Sequence, residues 1–138
     1  MADRLRVRDL MSKPVRTLGP NEPVAGADEL MRMERIRHLP VLDEAGALCG
    51  IVSQRDLFRG ALARALGDAE SAQAKLLGLL RVKDVMNAPV VTASPDETVA
   101  EAAARMVDGK LGCLVVVEDG RMLGILTESD FVRSFADR

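Results

Sequence analysis

The clearest pattern of apolar and polar positions lies between residues 36 and 57, where two apolar runs flank a short polar stretch. Leu39–Leu42 is a short apolar run, and the next four residues, 43–46, are Asp, Glu, Ala and Gly, which tolerate a tight turn. Ala47–Val52 is a second apolar run that is rich in branched side chains. The pattern therefore predicts a strand, a turn and a second strand.

A helix start follows this predicted hairpin. Ser53 and Asp56 have the spacing at which a hydroxyl accepts from the amide three residues on and a carboxylate reaches back to the first amide. The same arrangement recurs later in the chain, where Thr127 and Asp130 follow two apolar runs. The chain therefore contains one unit twice.

An alignment of Val7–Leu57 with Val82–Phe131, with one deletion at Ala45, gives 18 identities in 50 positions. The paired residues include Asp9/Asp84, Met11/Met86, Pro14/Pro89, Thr17/Thr92, Pro20/Pro95, Met31/Met106, Gly50/Gly124 and Asp56/Asp130. Within the first copy, apolar residues recur every three or four positions from Val24 to Met31, which predicts an amphipathic helix of about three turns. Met31 and Met106 are predicted to be core residues.

Between the copies, apolar residues at helical spacing predict helices near 57–66 and 74–80, separated at Gly67-Asp68. The predicted organisation is a first repeat over 1–66, a linker helix over 67–81 and a second repeat over 82–138. The surplus of apolar side chains in the linker region indicates a surface that meets a second copy of the chain, so we expect a homodimer.

Two units of this size, each with three short strands and two helices, cannot bury a good core alone. We therefore expect an α/β (α+β) fold in which the two sheets pack against one another around a pseudo-twofold axis.

Composition and charge exclude several classes of protein. The chain has 138 residues, 48% of them hydrophobic, and a net charge of −2. This charge disfavours binding to nucleic acid or to an anionic membrane. No apolar run is long enough to span a bilayer, and the first residues lack the apolar core of a signal peptide, so we expect a cytoplasmic protein.

The sequence lacks the motifs and spacings of common catalytic and metal sites. There is one His, and Cys49 and Cys113 occupy different places in their repeats without Cys-x-x-Cys spacing. We expect two buried free thiols and no zinc site. No nucleophile motif, P-loop lysine or paired carboxylates are evident, so we expect that the chain is not an enzyme.

Several motifs occur in the same order in both copies and resemble those of tandem cystathionine-β-synthase (CBS) domains, a pair also called a Bateman module. They are Val-x-Asp-Leu-Met-Ser-x-Pro-Val at 7–15, Ile-Arg-His-Leu-Pro-Val-Leu-Asp at 36–43 and Gly-Ile-Val-Ser-x-Arg-Asp-Leu at 50–57. The second copy keeps Val-x-Asp-Val-Met, Val-x-Thr and Gly-Ile-Leu-Thr-x-x-Asp. The resemblance covers nearly the whole chain, from Val7 to about Phe131.

This resemblance implies a repeated β-α-β-β-α unit, no catalysis by the module and an adenosine-containing ligand in the clefts between the repeats. Such modules usually form dimers and regulate a partner protein. With no fused enzyme or channel in the sequence, the chain resembles a free-standing regulator. No obligatory cofactor is implied. The sequence identifies neither the ligand nor the regulated partner.

The family pattern assigns roles to the Ser/Thr-x-x-Asp segments. In the family the hydroxyl, here Ser53 or Thr127, contacts phosphate or ribose, and the carboxylate, here Asp56 or Asp130, accepts from the ribose hydroxyls. The alternative is that both segments are helix caps and bind no ligand.

The remaining candidates surround these segments. Arg37, and His38 when it is protonated, could hold a phosphate, whereas the second copy has Gly112 and Cys113 at these positions, so the two clefts are chemically unequal. Arg55 could add charge at the rim, although a solvated surface arginine has the same appearance. In the family the stretches that contain Thr17 and Thr92 line the adenine pocket through backbone groups, and the alternative is that each is a strand threonine.

Two functions from different classes compete. The first is a sensor that binds AMP, ADP, ATP, S-adenosylmethionine or NAD and signals to a partner by a conformational change. The second is a ligand-free module for dimerisation and docking. For the sensor we expect one preferred site, built from Asp56, Ser53, Arg37 and His38 with the Thr92 stretch of the other repeat near adenine.

Overall fold

The structure is a computed structural model that describes residues 5–13, 15–58 and 80–136. The chain divides into two compact units, which we name after the candidate acid in each. The Asp56 unit comprises Arg16–Pro89, and the Asp130 unit comprises Met1–Val15 together with Val90–Arg138.

The helices and strands follow the predicted order. They are α1 (Val7–Leu10), α2 (Val24–Glu34), β1 (His38–Leu42), β2 (Leu48–Ser53), α3 (Val82–Val85), β3 (Thr92–Ala93), α4 (Val99–Gly109), β4 (Cys113–Glu118), β5 (Arg121–Thr127) and α5 (Glu128–Ala136). Residues 54–58 are also helical. The predicted α+β class is confirmed. Most of the two helices predicted over 57–66 and 74–80 lies outside the described residues.

The two sheets have the same pairing pattern. In the Asp56 unit, β1 and β2 are antiparallel, and Leu18 forms a parallel bridge to Val41 on the other side of β1. In the Asp130 unit, β3 is parallel to β4, with Ala93 opposite Val116, and β4 is antiparallel to β5. In each unit, the central strand (β1 or β4) therefore has a short parallel neighbour on one side, at Leu18 or β3. Its antiparallel hairpin partner, β2 or β5, lies on the other side.

The turn between β1 and β2 is stabilised by the side chain of Asp43. Its Oδ1 accepts hydrogen bonds from the amides of Ala45 and Ala47, each at 2.9 Å. Gly46 has φ +85°, a left-handed conformation that glycine adopts without steric cost. The turn prediction over residues 43–46 is therefore confirmed.

The compact units do not coincide with the sequence repeats. The lead segment of each repeat, residues 5–13 in the first and 82–89 in the second, pairs with the body of the other repeat. The amide of Val7 donates to the carbonyl of Glu97, and the amide of Val82 donates to the carbonyl of Glu22, both at 2.9 Å. Each unit thus combines the lead segment of one repeat with the body of the other. The predicted repeat boundaries, at 66, 67–81 and 82, stay a prediction.

Each unit has its own hydrophobic core, and the predicted core methionines lie in these cores. Met31 packs in the core of the Asp56 unit with Val24, Leu39 and Val52. Met106 packs in the core of the Asp130 unit, and the members of this core are Val7, Ala93, Ala102, Leu114, Val116 and Leu126. Both methionines are buried, as predicted.

Two equivalent glycines permit the lead segments to approach the sheets. A Cβ at Gly124 would lie 2.8 Å from Met11 Sδ and 2.9 Å from the Ser12 carbonyl oxygen. A Cβ at Gly50 would collide with Met86 Sδ and Cγ, which belong to a flexible side chain. A backbone carbonyl moves less readily than the end of a methionine side chain. A side chain at position 124 is therefore harder to accommodate than one at position 50.

We therefore predict that Gly124→Ala lowers the free energy of unfolding by about 1–3 kcal/mol and that Gly50→Ala lowers it by less. Gly26→Ala is the control, because Gly26 is exposed in α2 with no atom within 4 Å of its added Cβ. This control should gain about 0.5–1 kcal/mol from helix propensity. Urea unfolding of the three variants measures the differences, and an unfolding midpoint for Gly124→Ala equal to that of the unmodified chain would contradict the prediction.

Both cysteines are free thiols, as predicted. Cys113, the first residue of β4, is buried, but Cys49 in β2 is only half-buried, so the predicted burial was wrong for Cys49. Burial raises the pKa of Cys113 from 9.0 to about 12, because the thiolate loses its hydration. At pH 8 only about one Cys113 thiol in ten thousand is ionised, and the thiolate is the reactive form.

We predict that iodoacetamide at pH 8 modifies Cys49 well before Cys113 in the folded chain. In denaturant the two should react at similar rates, because the pKa shift of Cys113 depends on burial. Peptide mass spectrometry over a time course measures both rates. Modification of Cys113 first in the folded chain would show that the thiol is not protected.

Candidate functional site

The end of β2 carries the predicted helix start. The amide of Ser53 donates to Asp56 Oδ2 at 2.9 Å, and the amide of Asp56 donates to Ser53 Oγ at 3.0 Å. Each side chain thus caps the backbone of the other, which confirms the interpretation of this spacing. Ser53 and Asp56 are both half-buried, so the cap lies at the protein surface.

Asn87 is a third member of this cluster and was not predicted from the sequence. Its Nδ2 donates to Asp56 Oδ2 at 2.8 Å. Two backbone hydrogen bonds with Ile51, of 2.8 and 3.0 Å, fix Asn87 beside the sheet. The available signal was the repeat itself, because the residue after Met11 and Met86 is polar in both copies.

The register of the hairpin brings Arg37 and His38 to the end of the sheet that carries Ser53. His38 pairs directly with Ser53, and the carbonyl of Arg37 accepts from the amide of Gln54 at 2.8 Å. The Arg37 side chain is exposed and His38 is half-buried. The structure therefore groups Arg37 and His38 with Ser53 and Asp56.

Thr17 and Arg55 lie at the margins of this group. Thr17 is half-buried and precedes Leu18, whose amide donates to the carbonyl of Pro40 in β1 at 3.0 Å. This pairing places Thr17 beside the first half of β1, near the strand end that carries His38. Arg55 is exposed in the helical segment 54–58.

In the Asp130 unit the equivalent acid has a different environment. The Thr127 amide donates to Asp130 Oδ2 at 2.8 Å, and the Thr127 hydroxyl lies 3.3 Å from the same oxygen. Ser12 Oγ donates to Asp130 Oδ1 at 2.6 Å, and Arg133 pairs with this oxygen as well. Asp130 is 2% exposed, so it is buried where Asp56 is half-buried.

Thr92 also belongs to the Asp130 unit. It is exposed at the start of β3, opposite Val115, and its carbonyl accepts from Arg105 Nη2 at 2.6 Å. Both Nη1 contacts of Arg105, with the carboxylate oxygens of Glu97, measure 2.8 Å. The predicted contribution of Thr92 to a site at Asp56 stays a prediction.

The positions that match Arg37 and His38 carry no cation in this unit. The carbonyl of Gly112 accepts from the Glu128 amide at 3.3 Å, and Cys113 is a buried thiol. The two candidate sites therefore differ in two respects. Only the Asp56 unit has Arg37 and His38 at these positions, and Asp56 is half-buried whereas Asp130 is buried.

The Asp56 cluster has the chemistry to bind a ribose and a phosphate. A partly exposed carboxylate accepts hydrogen bonds from neighbouring hydroxyls, and an exposed guanidinium donates two parallel bonds to a phosphate. Within residues 5–13, 15–58 and 80–136, no group of three or more His, Cys, Asp or Glu side chains could hold a metal ion. None of the helices in these ranges is both long and apolar enough to cross a membrane.

Some of the solved structures to which the chain is similar contain adenosine compounds. The CBS domain pair of protein MJ0100, in complex with 5′-methylthioadenosine and S-adenosyl-L-methionine, is 30% identical with a TM-score of 0.77, and the match covers 96% of each chain. CBSX2 in complex with AMP is 29% identical with a TM-score of 0.76, and the match covers 96% of this chain and 97% of that one.

Several curated relatives are much longer proteins. L-aspartate semialdehyde sulfurtransferase of Methanocaldococcus jannaschii is 31% identical over 133 residues, which are 96% of this chain and 23% of that protein. The chain likewise spans 23% of the homoserine O-acetyltransferases that it matches. The family model for the CBS domain matches residues 7–63 and 82–137. The chain therefore belongs to the CBS domain family and contains a tandem CBS pair.

Proposed function

We propose that the chain is a regulatory protein that binds an adenosine-containing ligand at the Asp56 cluster and signals its presence to a partner. The observation that carries the proposal is the grouping of a half-buried carboxylate with an exposed arginine at one end of the β1–β2 hairpin. Asp56 accepts from ribose hydroxyls, Arg37 neutralises phosphate, and His38 donates a ring N–H to it. Ser53 and Arg55 complete the phosphate side. For the base we propose the backbone at Thr17 in place of the Thr92 stretch, because Thr17 lies in the same compact unit as Asp56 and Thr92 does not.

The relatives of known structure support this ligand class. One CBS pair holds 5′-methylthioadenosine and S-adenosyl-L-methionine, and another holds AMP. These compounds share adenosine and differ in what is attached to its 5′ carbon. ADP, ATP and NAD share adenosine as well, so they belong to the same candidate set.

We propose regulation rather than catalysis. The enzymes among the curated relatives are about four times longer than the matched region, so the matched region need not carry their chemistry. The Asp56 cluster combines acceptors with cations and contains no activated nucleophile or acid–base pair. The regulated partner and the cytoplasmic location stay expectations from the sequence.

The second candidate function is a ligand-free scaffold for dimerisation. One observation favours it: Asp56 already accepts from Ser53 and Asn87, so it is a satisfied helix cap without any ligand. In this case the cluster has a purely structural role, and the function resides in exposed apolar surface.

Thermal unfolding with AMP, ADP, ATP, S-adenosylmethionine, 5′-methylthioadenosine and NAD separates the two candidates. A ligand at about 100 times its dissociation constant stabilises the folded chain by about 2.7 kcal/mol. We expect at least one compound to raise the melting temperature by several degrees, which is on the order expected for a chain of this size. No shift with any compound at millimolar concentration would favour the scaffold.

The site is tested by Asp56→Ala, with Asp84→Ala as the matched control. Both acids accept a 2.9 Å hydrogen bond from the backbone amide three residues earlier, and both belong to the Asp56 unit. Loss of a charged hydrogen bond costs about 1.5–3 kcal/mol, or about 10- to 150-fold in affinity. Asp56→Ala should weaken AMP binding by this factor in calorimetry, and Asp84→Ala should not.

Arg37→Ala should weaken AMP binding more than adenosine binding, because only AMP carries a phosphate. Arg32→Ala, an exposed arginine in α2, is its control. If Arg37→Ala lowers the affinities for AMP and adenosine by the same factor, Arg37 does not contact the phosphate. If Asp130→Ala abolishes tight binding and Asp56→Ala does not, the proposed site is wrong.

We also propose that the chain is a homodimer. Large apolar side chains are exposed on both units: Met33 and Phe58 on the Asp56 unit, and Val107 and Val132 on the Asp130 unit. A groove of about 490 Å³ in the Asp130 unit is lined mainly by apolar side chains of α4 and α5 and by Leu111. Exposed large apolar side chains beside an apolar groove support an interface with a second copy of the chain.

Light scattering should therefore give twice the chain mass of 14.9 kDa at micromolar concentration. A double substitution, Val107→Asp with Val132→Asp, should shift the mass to that of a monomer, because the charges cannot be buried without partners. Asp108→Lys, an exposed charge change on α4, is the control. A monomeric mass for the unmodified chain would overturn this proposal.

A further inference from the structure

Asp130 is a buried acid whose acceptor sites are filled by the chain itself. An ionised carboxylate has about four lone-pair positions. Oδ1 accepts from Ser12 Oγ and Arg133 Nη2, and Oδ2 accepts from the amide and the hydroxyl of Thr127. A ligand hydroxyl can bind Asp130 only if it displaces one of these donors.

Arg133 lies on the solvent side of this acid. Its side chain is 62% exposed, whereas that of Asp130 is 1% exposed. The same Nη2 also donates to Ser12 Oγ at 2.9 Å. The Ser12 hydroxyl therefore accepts from the guanidinium while it donates to the carboxylate, and the three side chains form a closed triangle.

A second arginine, Arg105, contacts the backbone at Thr92, the other candidate residue for ligand binding in the Asp130 unit. Arg105 donates to the Thr92 carbonyl at 2.6 Å and is held by Glu97. Thr92 lies opposite Val115 in β4, and Thr127 lies opposite Cys113, so both positions are at the same end of this sheet. Two arginines of the chain thus pair with the groups that a nucleotide would use.

The Asp56 unit differs at these positions. Leu30 matches Arg105 in the repeat alignment and packs against the hydrophobic core. The Asp56 carboxylate is half-buried, and the two donors on its Oδ2 are a backbone amide and the Asn87 amide, which are uncharged. Arg59, the counterpart of Arg133, lies outside the described residues, so the contrast rests on Leu30 and on the exposure of the acids.

We propose that the Asp130 unit is closed to nucleotides by its own side chains. Arg133 and Ser12 hold Asp130 as a structural acid, and Arg105 covers the Thr92 carbonyl, so one chain takes a single nucleotide. Removal of Arg133 opens a second site. The number of ligands rests on the proposed function at Asp56, whereas the structural role of Asp130 does not.

The ligand-free test is a thermal double-mutant cycle with Arg133→Ala, Asp130→Asn and their combination. Arg133→Ala should lower the melting temperature of the full chain, because it leaves a buried carboxylate without its cation. The same change should have little effect when residue 130 is already the neutral Asn. Equal losses in both backgrounds would overturn the structural role of the triangle.

The ligand test is the AMP stoichiometry of the full chain in calorimetry. The unmodified chain should bind one AMP per chain, and Arg133→Ala should bind two, with the second event lost on addition of Asp130→Ala. Arg121→Ala, an exposed arginine of the same unit, should leave the stoichiometry at one. If Arg133→Ala does not fold, Arg133→Gln removes the charge and keeps most of the side-chain bulk.

The outcomes separate the two proposals. Two AMP molecules bound to the unmodified chain would overturn the closure and leave the proposed function intact. Binding to Arg133→Ala alone would support the closure and overturn the site at Asp56. If neither protein binds AMP, the proposed function fails for AMP, and the double-mutant cycle decides whether Arg133 holds Asp130.

Discussion

Reciprocal backbone hydrogen bonds join each lead segment to the body of the unit in which it lies, and both candidate sites depend on them. Ser12 exchanges two hydrogen bonds with Ile125, and Asn87 exchanges two with Ile51. Because these residues are held at the sheet, their side chains reach the neighbouring acids, Asp130 and Asp56. The polar residue of the lead segment therefore fixes the carboxylate that follows the last strand of the unit.

This constraint explains why small residues are needed in the middle of β2 and β5. The lead segment can exchange hydrogen bonds with the sheet only if the strand beside it has no side chain at that point. Both copies have glycine there, and the methionine of each lead segment packs across it. A site that looks like a short sequence motif is thus built from two distant stretches, and close packing fixes their relative positions within a unit.

Local patterns predicted much of this arrangement. The two apolar runs and the Asp-Glu-Ala-Gly turn gave the first hairpin within a residue or two, and the Ser53–Asp56 spacing gave the cap with its correct donors. The exchange of lead segments could not be predicted, because an internal repeat does not reveal which copy a segment packs against. For the same reason Asn87, Ser12 and Arg133 were missed: their importance arises from contacts between residues far apart in the chain, as between Ser12 and Asp130.

The exchange of lead segments also determines the order in which the chain can complete its units during synthesis. The Asp56 unit is made of one continuous stretch, so all of its residues have left the ribosome once Pro89 has emerged. The Asp130 unit combines residues that precede the Asp56 unit in the chain with residues that follow it, so its lead segment must wait for β4 and β5. Domains generally fold as units during synthesis, N-terminal parts first. Here the N-terminal fifteen residues belong to the unit that is completed second, and the loop that this unit must close contains the entire Asp56 unit.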